Sequence, residues 1–354
     1  MKLALSQLDD AYRWLCQQRK HFPPNADVWH FRRQYSAIKS DLLEQINSGR
    51  YQFSPQQKII KHDGKIIHLW GSQDVLVMKL IANRLTASLP LSSRCTHIKG
   101  HGGLKQTIVE VQNSQSDYQY VCKTDVKGFY ASINQYLLMD MINDTVQDAD
   151  LNHYLYQIVH RCVEYGGNYR DINQGISRGC PLSPILGALY LKVLDDHFTD
   201  KNLYYVRYMD DILILTKTRW QNRKAVKQLN QILNKLKVEK RPDKTFIGMI
   251  SRGFDFIGYH FDGQQLTVAV KTVEKHVTHY RQLYEQLRKK KSTSGEMASI
   301  LGLCAKRWQR WAVAGLPGIK ICVRCYRENP RYREKSSKPM DQCPGIPVSR
   351  STVT

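Results

Sequence analysis

The chain has 354 residues, of which 42% are hydrophobic and 24% are charged, values typical of a globular protein with one composite domain or two to three subdomains. Its 53 Lys and Arg against 31 Asp and Glu give a formal net charge of +22, which favours nucleic acid as a partner over an anionic membrane surface. No run of about 18 uncharged apolar residues is present, and Asp9 and Asp10 interrupt the N-terminal apolar run, so we expect a cytoplasmic protein without a membrane partner.

Helices and hairpins alternate irregularly along the chain. Apolar residues at helical spacing predict two helices within residues 1–50, and apolar runs around residues 62–64 predict a hairpin over 51–70. The later pattern predicts a helix over 73–87, a strand over 120–125 and then two helical stretches separated by a loop over 165–181. It continues with strands over 203–208 and 212–215 and a helix over 219–237. A hairpin is predicted over 253–269, followed by basic helices from 271 to 315. This mixture predicts an α+β fold and not a doubly wound parallel sheet.

The sharpest chemical feature is Tyr208-Met209-Asp210-Asp211, which lies between two apolar β runs. Two adjacent carboxylates at a hairpin tip repel each other, and a divalent cation would neutralise them. A solvated Asp-Asp turn is the alternative interpretation. Asp125 ends another apolar strand, so three carboxylates at strand ends could hold two ions about 3.5–4 Å apart. Such a pair of ions activates a primer 3′ oxygen and steadies the leaving pyrophosphate.

These motifs resemble those of reverse transcriptases. Tyr208-Met-Asp-Asp211 looks like their central palm motif, and Asp125-Val-Lys-Gly-Phe-Tyr130 resembles their first palm motif in the form found in bacterial group II intron enzymes. Arg178-Gly-Cys-Pro-Leu-Ser183-Pro184 lies between the two, where the family has Gln-Gly-x-x-x-Ser-Pro against the incoming nucleotide. The resemblance covers roughly residues 30–310. It implies a right-handed fingers–palm–thumb fold with an antiparallel palm sheet and a helical thumb.

The resemblance also implies an activity and a metal site. The activity is that of an RNA-directed DNA polymerase that binds an RNA template, a DNA or RNA primer and dNTPs. The metal site comprises Asp125, Val126, Asp210 and Asp211 with two Mg²⁺ ions, for which Mn²⁺ could substitute. Lys244 resembles the lysine of the following palm motif and completes the catalytic set as a general acid for pyrophosphate.

A second group of residues is expected to bind the nucleotide: Lys61, Lys65, Tyr130, Arg178, Gly179, Ser183 and Pro184. Tyr130 stands where the family places an aromatic gate beneath the sugar; the alternatives are that Phe129 is the gate or that Tyr130 is a core aromatic. The two lysines could also be solvated hairpin charges. Arg178 replaces the family glutamine, and Leu69–Asp74 replaces an arginine-rich stretch, so the groups offered to the triphosphate differ from the family pattern.

The C-terminal third is expected to bind nucleic acid. Phe256 and Gly258 lie in a segment resembling the primer-grip hairpin. The basic residues assigned to phosphate binding are Lys289, Lys290, Lys291, Lys306, Arg307 and Arg310, with a solvated face as the alternative. Trp308 and Trp311, interleaved among them, are expected to pack in the core. Cys322, Cys325 and Cys343 suggest a zinc knuckle, but Cys304 would have to supply the fourth ligand.

The expected domain limits are 1–50 for an N-terminal helical extension or the start of the fingers, 51–270 for fingers and palm, 271–318 for a helical thumb and 319–354 for a basic, loosely ordered tail. Two alternative functions remain at this stage. One is an RNA-binding factor of the splicing-maturase kind, against which the intact acid triad argues. The other is an antiviral reverse transcriptase of the retron or abortive-infection kind that uses a dedicated structured RNA. The sequence leaves mobile-element and defence roles open.

Overall fold

The computed structural model describes residues 2–61, 64–199 and 201–316. The helices are α1 Leu5–Gln18, α2 Asp27–Asn47, α3 Ser72–Ser88, α4 Gly103–Ser114, α5 Phe129–Ser132, α6 Gln135–Thr145, α7 Ala149–Val159, α8 Ser183–Tyr190, α9 Lys192–Thr199, α10 Arg219–Lys235, α11 Val270–Lys289 and α12 Ser294–Val313. The strands are β1 Gln56–Ile60, β2 Ile66–Leu69, β3 Tyr120–Asp125, β4 Cys162–Tyr165, β5 Asn168–Asp171, β6 Tyr204–Tyr208, β7 Asp211–Thr216, β8 Phe246–Met249, β9 Phe254–Phe256, β10 Tyr259–Phe261 and β11 Leu266–Val268.

The strands form short, largely antiparallel sheets. Their orders are β2-β1-β4-β5, β6-β7-β3-β8 and β11-β10-β9. The first sheet contains the predicted hairpin, with Ile60 opposite Ile66, and a parallel contact between β1 and β4. In the second sheet β3 lies antiparallel to β8, with Cys122 opposite Ile247. Helices and hairpins therefore mix as an α+β fold, as the sequence predicted.

Contacts divide the chain into two compact units. The first comprises the described residues of Met1–Gly103, Thr124–Ile214 and Arg223–Thr245, and the second comprises the described residues of Leu104–Lys123, Leu215–Asn222 and Phe246–Thr354. Each unit is therefore assembled from segments that are distant in sequence.

Helix α3 lies in the core of the first unit. Its four consecutive residues Val75–Met78 are all buried, whereas a surface helix buries only one apolar stripe along its length. Helices α1, α2 and α8 all pack against α3, which explains why almost every side of it is apolar. Helix α8 begins with Ser183 followed by Pro184, and proline suits the first turn of a helix because it has no N–H to leave unpaired.

A buried polar network joins the N-terminal helices to α3. The Arg19 guanidinium donates to Ser72 Oγ at 2.7 Å and to the Trp70 carbonyl at 2.8 Å, and it contacts Asp27. Asp74, in the first turn of α3, is only 2% exposed and accepts a hydrogen bond from the Tyr51 hydroxyl at 2.7 Å. Burial raises the pKa of Asp74 to about 6, although the Tyr51 hydrogen bond opposes that rise.

Lys105 fastens α4 to the end of α12 within the second unit. Its ammonium donates to the Tyr259 hydroxyl at 2.5 Å and to the Trp311 carbonyl in the last turn of α12. A cation there satisfies terminal carbonyls and lies at the negative end of the helix dipole. Burial lowers the pKa of Lys105. Helix α11 also packs against α12, so α4, α11 and α12 belong to one packed group.

Three sequence predictions of local structure were wrong. The region expected to be a loop over 165–181 begins within the hairpin β4–β5, whose turn is Gly166-Gly167 with φ of 59° and 81°. Two glycines between strand-like runs are a sequence signal for such a turn. Residues 51–55 are not a strand. The hairpin expected over 253–269 is a three-stranded meander, β9-β10-β11, because a second turn forms at Ile257-Gly258.

The raised pKa of Asp74 makes stability depend on pH. A carboxyl group whose pKa is higher in the folded protein binds more protons in the folded state than in the unfolded state. Its ionisation therefore lowers the free energy of unfolding as the pH rises from about 4 to about 6. Asp74→Asn keeps an acceptor for Tyr51 and removes this titration. We expect the variant to gain stability relative to wild type across this interval, by up to about 3 kcal/mol.

Urea unfolding of both proteins at pH 4, 5, 6 and 7 measures the difference. Asp140→Asn, at an exposed position on α6, is the matched control and should show no such trend. A constant difference between Asp74→Asn and wild type at all four values would contradict the assignment.

Candidate active site

Asp125 ends β3 with its carboxylate buried. Its residue is 4% exposed, and its backbone carbonyl accepts a hydrogen bond from the N–H of Arg241 at 2.7 Å. Beside it, Thr124 Oγ1 lies 2.7 Å from Thr245 Oγ1. The intervening turn carries Lys244, whose Nζ forms an ion pair with Asp125 Oδ2. The fold therefore brings together two residues that the sequence assigned to catalysis, 119 positions apart.

Asp210 and Asp211 lie at the tip of the hairpin β6–β7. Both strands are almost entirely buried, so the tip is held by the core, and Met209 adopts a left-handed conformation with φ of 55°. Burial, followed by the charges of Asp125 and Asp211, raises the pKa of Asp210. Like charges have this effect only when they are close. The three predicted carboxylates thus form one cluster.

A fully buried ion pair lies behind this turn. Arg207 and Asp195 have side chains 0% and 1% exposed, and Arg207 Nε donates to Asp195 Oδ1 at 2.8 Å. The Tyr205 hydroxyl donates to the same oxygen at 2.6 Å. Burial favours a lower pKa for Arg207, but the Asp195 carboxylate more than offsets this and raises it. Arg207 Nη1 in turn donates to the Met209 carbonyl at 2.7 Å, so the pair fixes the residue preceding Asp210.

Tyr130 and Phe129 occupy different environments. Phe129 is 4% exposed, whereas Tyr130 is half-buried. Both rings pack over Gly187 of α8, where an added Cβ would lie 2.9 Å from the Phe129 ring and 3.1 Å from the Tyr130 ring. Burial, and next the charge of Asp210, raises the pKa of Tyr130 to about 12. The Tyr130 hydroxyl therefore remains protonated and lies near the carboxylate cluster, while Phe129 belongs to the core.

The segment before α8 is attached directly to the backbone of Tyr130. The Ile176 N–H donates to the Tyr130 carbonyl at 2.7 Å, and the Gly175 N–H donates to the Ile133 carbonyl at 2.8 Å. Gly175 has φ of 73°, and an added Cβ would lie 2.7 Å from the Tyr130 carbonyl oxygen. Arg161 and Gln135 both donate to the Gly175 carbonyl. Only glycine suits this close backbone approach.

Four further predicted nucleotide-binding residues follow, two in this segment and two at the start of α8. Arg178 and Gly179 are exposed, and Gly179 has φ of 75°. Ser183 is buried, and its hydroxyl donates to the Ser177 carbonyl. Pro184 is half-buried. Ser183 therefore shapes the loop, whereas the Arg178 guanidinium is presented outward.

Residues 61–261, more than half of the chain, match the reverse transcriptase (RNA-dependent DNA polymerase) family. The chain belongs to this family. It is 21% identical over 267 residues to Protein YkfC of Escherichia coli strain K12. This alignment covers 62% of this chain and 69% of that protein. It is also 25% identical over 95 residues to the Putative COX1/OXI3 intron 2 protein of Saccharomyces cerevisiae. This alignment covers 27% of this chain and 11% of that protein.

Among solved structures, apo telomerase from Candida tropicalis aligns with a TM-score of 0.47 and 14% identity, over 65% of this chain and 51% of that chain. The chain described here thus matches about half of the telomerase chain and a small part of the yeast protein. The family match confirms the fingers–palm–thumb fold class and the enzyme class, an RNA-directed DNA polymerase acting on a template and primer. An intron protein among the relatives agrees with the resemblance to group II intron enzymes.

Reverse transcriptases generally use divalent metal ions, and the carboxylate cluster suits them. Its donors are all oxygen, the ligand type that Mg²⁺ prefers. The effect of Asp125 and Asp211 on the pKa of Asp210 shows mutual repulsion that a cation relieves. Within the described ranges no three His, Cys, Asp or Glu side chains are already arranged to hold a metal ion. Mg²⁺ commonly completes its coordination with substrate phosphates and water.

The remaining predicted residues of the reverse transcriptase lie outside this cluster. Lys61 and Lys65 are exposed at the end of the hairpin β1–β2, where the Lys61 N–H donates to the Lys65 carbonyl at 2.9 Å. Phe256 is fully buried, and Gly258, with φ of 91°, forms the turn between β9 and β10. Phe256 therefore anchors the turn from inside, and Ile257-Gly258 is its more accessible part.

The predicted nucleic-acid residues on and beside α11 and α12 are all exposed: Lys289, Lys290, Lys291, Lys306, Arg307 and Arg310. Trp308 stacks on His276 with ring centroids 4.3 Å apart, and the Trp311 ring lies 5.6 Å from the Tyr259 ring. Trp308 is only half-buried and Trp311 is 36% exposed, so the prediction that both pack in the core was wrong. None of the described helices is long and apolar enough to cross a bilayer. Cys322, Cys325 and Cys343, the suggested zinc ligands, lie outside the described residues.

Sequence reasoning missed Asp195, Arg207 and Gly175. Arg207 carried a usable signal, because a charged residue within the apolar run Tyr204–Tyr208 requires a buried partner. The identity of that partner, Asp195 on α9, depends on how the helix packs against β6. Gly175 had no such signal, since its close contact with residues 130 and 131 exists only in the folded chain.

The close approach at Gly175 predicts a specific loss of stability. In Gly175→Ala the new methyl group would collide with backbone atoms of Tyr130 and Ala131 and would also strain a positive φ. We expect destabilisation by about 2–4 kcal/mol. Gly167→Ala is the matched control, because its φ of 81° is similar and nothing lies within 4 Å of the added Cβ.

Chemical denaturation of the two variants and wild type measures both effects. The control should lose only about 1–2 kcal/mol, the cost of the backbone conformation. Equal losses in the two variants would show that the approach to Tyr130 is not constrained.

Proposed function

We propose that this reverse transcriptase adds dNTPs to a primer 3′-OH on an RNA template with two Mg²⁺ ions, or Mn²⁺ in their place. Asp125, Asp210 and Asp211, with Val126 beside them, would hold the ions. The observation that carries this proposal is that β7 and β3 are neighbours in one sheet, with Asp211 at the start of β7 and Asp125 at the end of β3. The charges of Asp125 and Asp211 both act on Asp210, which agrees with this placement. When bound, the ions activate the primer oxygen and neutralise charge on the pyrophosphate.

The chain's own residues would supply position and protons. The left-handed Met209 and the hydrogen bond from Arg207 hold Asp210 and Asp211 at the hairpin tip, so their oxygens are oriented before substrate arrives. Lys244 lies at Asp125, beside the predicted metal ligands, with a side chain 44% exposed. An ammonium in that position could donate a proton to the leaving pyrophosphate, as the sequence suggested.

The nucleotide would lie between Tyr130 and the segment Arg178–Pro184. The Tyr130 ring is half-buried near Asp210, which is the position expected of a gate beneath the sugar. Arg178 is exposed at the start of this segment and offers a planar guanidinium to phosphate oxygens. Lys61 and Lys65 are exposed on the hairpin β1–β2 and would add charge for the triphosphate. Gly179, Ser183 and Pro184 would shape the loop.

The basic residues on α11 and α12 would bind the phosphates of the template–primer duplex. We assign residues 1–50 to the N-terminal helical extension or start of the fingers, 51–270 to fingers and palm, and 271–318 to the thumb. Phe256 and Gly258 would support the primer end. Sequencing the RNA that copurifies with the protein would show whether a dedicated structured RNA accompanies it.

The metal assignment predicts the effect of neutralising a single carboxylate. Asp125→Asn and Asp210→Asn should each lower primer extension by at least about 100-fold, because removing a ligand charge destabilises the transition state. RNA affinity should change little, because phosphate binding is assigned to other residues. Asp140→Asn, exposed on α6, is the control and should extend primers normally.

Single-turnover dNTP incorporation on a primed RNA template, with Mg²⁺ varied, measures the rates. Normal extension by Asp210→Asn would overturn the proposed function.

The different burial of Phe129 and Tyr130 predicts which ring excludes ribonucleotides. A 2′-OH would collide with the Tyr130 ring, so Tyr130→Ala should raise the GTP/dGTP ratio of kcat/KM by about 10-fold or more. Phe129→Ala should leave that ratio unchanged and destabilise the protein by about 3–5 kcal/mol, since it empties a core site. The two kcat/KM ratios and the unfolding free energies are the measurements.

A shifted ratio in Phe129→Ala alone would assign the gate to Phe129. Unchanged ratios in two folded variants would show that the nucleotide lies elsewhere.

A further inference from the structure

His97 connects two parts of the proposed site. None of the backbone hydrogen bonds described above joins these two parts directly. It lies between α3 and α4. Its Nδ1 is 3.1 Å from the backbone nitrogen of Met209, which precedes Asp210. Its Nε2 is 3.1 Å from the Pro184 carbonyl oxygen, in the first turn of α8. One ring therefore bridges the carboxylate hairpin and the segment expected to face the nucleotide.

The partners of the two ring nitrogens determine where the proton lies. The Met209 N–H is a donor, so Nδ1 must accept, and the Pro184 carbonyl is an acceptor, so Nε2 must carry the hydrogen. Cys95 Sγ lies 3.4 Å from Nδ1 and can also donate to it, because burial raises the pKa of the Cys95 thiol to about 12. All three contacts agree on the neutral imidazole protonated at Nε2.

The neutral ring is also the form that burial favours. Desolvation lowers the pKa of His97 to about 4; the hydrogen bond to Pro184 and the charge of Asp195 oppose this shift, while the charges of Arg207 and His101 add to it. The imidazole thus stays uncharged throughout the pH range of a polymerase assay. The bridge is therefore a constant feature of the site.

Met209 depends on this bridge because of its backbone conformation. A non-glycine residue at φ of 55° is held there by its surroundings. Its carbonyl accepts from Arg207 Nη1 and its N–H donates to His97, so side chains fix both of its backbone polar groups. The segment carrying the ring is itself paired with β6, since the Thr96 N–H donates to the Arg207 carbonyl at 2.9 Å.

We propose that His97 is a positioning residue that sets the Asp210–Asp211 hairpin against the Ser183–Pro184 segment through its two ring nitrogens. This inference rests on the proposed function of those two parts. The described hydrogen bonds of His97 are to Met209, Pro184 and Cys95, so it is assigned a positioning role and not a catalytic one. The contact at Nδ1 orients the carboxylates for the chemical step, and the contact at Nε2 orients the loop that receives the nucleotide.

Two substitutions separate the two contacts. Asparagine places an acceptor oxygen two bonds from Cβ, as Nδ1 is, and glutamine places a donor nitrogen three bonds from Cβ, as Nε2 is. His97→Asn should keep the Met209 contact and lose Pro184, so KM for dNTP should rise about 10-fold with kcat near wild type. His97→Gln should keep Pro184 and lose Met209, so kcat should fall about 10- to 100-fold with KM within about twofold.

Steady-state extension of a primed RNA template by the full chain gives both constants, and thermal unfolding checks folding. His153→Gln, at an exposed position on α7, controls for the exchange itself and should match wild type. Wild-type extension together with an inactive Asp210→Asn establishes the proposed function independently of the His97 variants. Wild-type kcat and KM in both His97 variants would overturn the positioning role. Equal losses of kcat in the two variants, in proportion to their losses of thermal stability, would also overturn it.

A measurement without turnover tests the same geometry. In protein labelled with ¹⁵N at histidine, the His97 resonances should show the neutral tautomer protonated at Nε2 at pH 7. The tautomer protonated at Nδ1 would overturn the proposal, because that ring cannot accept from Met209.

Discussion

The buried ion pair between Arg207 and Asp195 is the interaction on which the proposed site depends. Two charges taken out of water gain little net stability, but removing either partner leaves an uncompensated buried charge and costs about 3–5 kcal/mol. The pair also has a directional role, because Arg207 Nη1 donates to the Met209 carbonyl. It thereby fixes a left-handed residue immediately before two carboxylates that repel each other.

Backbone hydrogen bonds also join parts of this site. The Arg241 N–H binds the Asp125 carbonyl, the Ile176 N–H binds the Tyr130 carbonyl, and the Thr96 N–H binds the Arg207 carbonyl. Such contacts tolerate little displacement, which suits a reaction whose rate depends on the placement of oxygen atoms. They also explain why Gly175 lies against Tyr130, where any side chain would push the two segments apart.

Charge is distributed unevenly in the reverse transcriptase. The net charge of +22 reflects exposed lysines and arginines, including those on α11 and α12. The carboxylates of the cluster are instead partly or fully removed from water, and this burial raises the pKa of Asp210. A basic surface attracts a polyanion, whereas a desolvated acidic cluster attracts a cation. The two properties together are those expected of an enzyme that handles nucleic acid through metal ions.

The sequence by itself determined the carboxylates, the order of the motifs, the helices α1 and α2 and the hairpin β6–β7, because these depend on local periodicity and on residue types adjacent in the chain. It also indicated the family, which the match over residues 61–261 confirmed. Only the tertiary structure decided that Phe129 is core while Tyr130 lies near Asp210, that Lys244 pairs with Asp125, and that His97 joins Met209 to Pro184. These relations link residues up to 119 positions apart, and no local pattern encodes which distant segment a folded chain will place beside another.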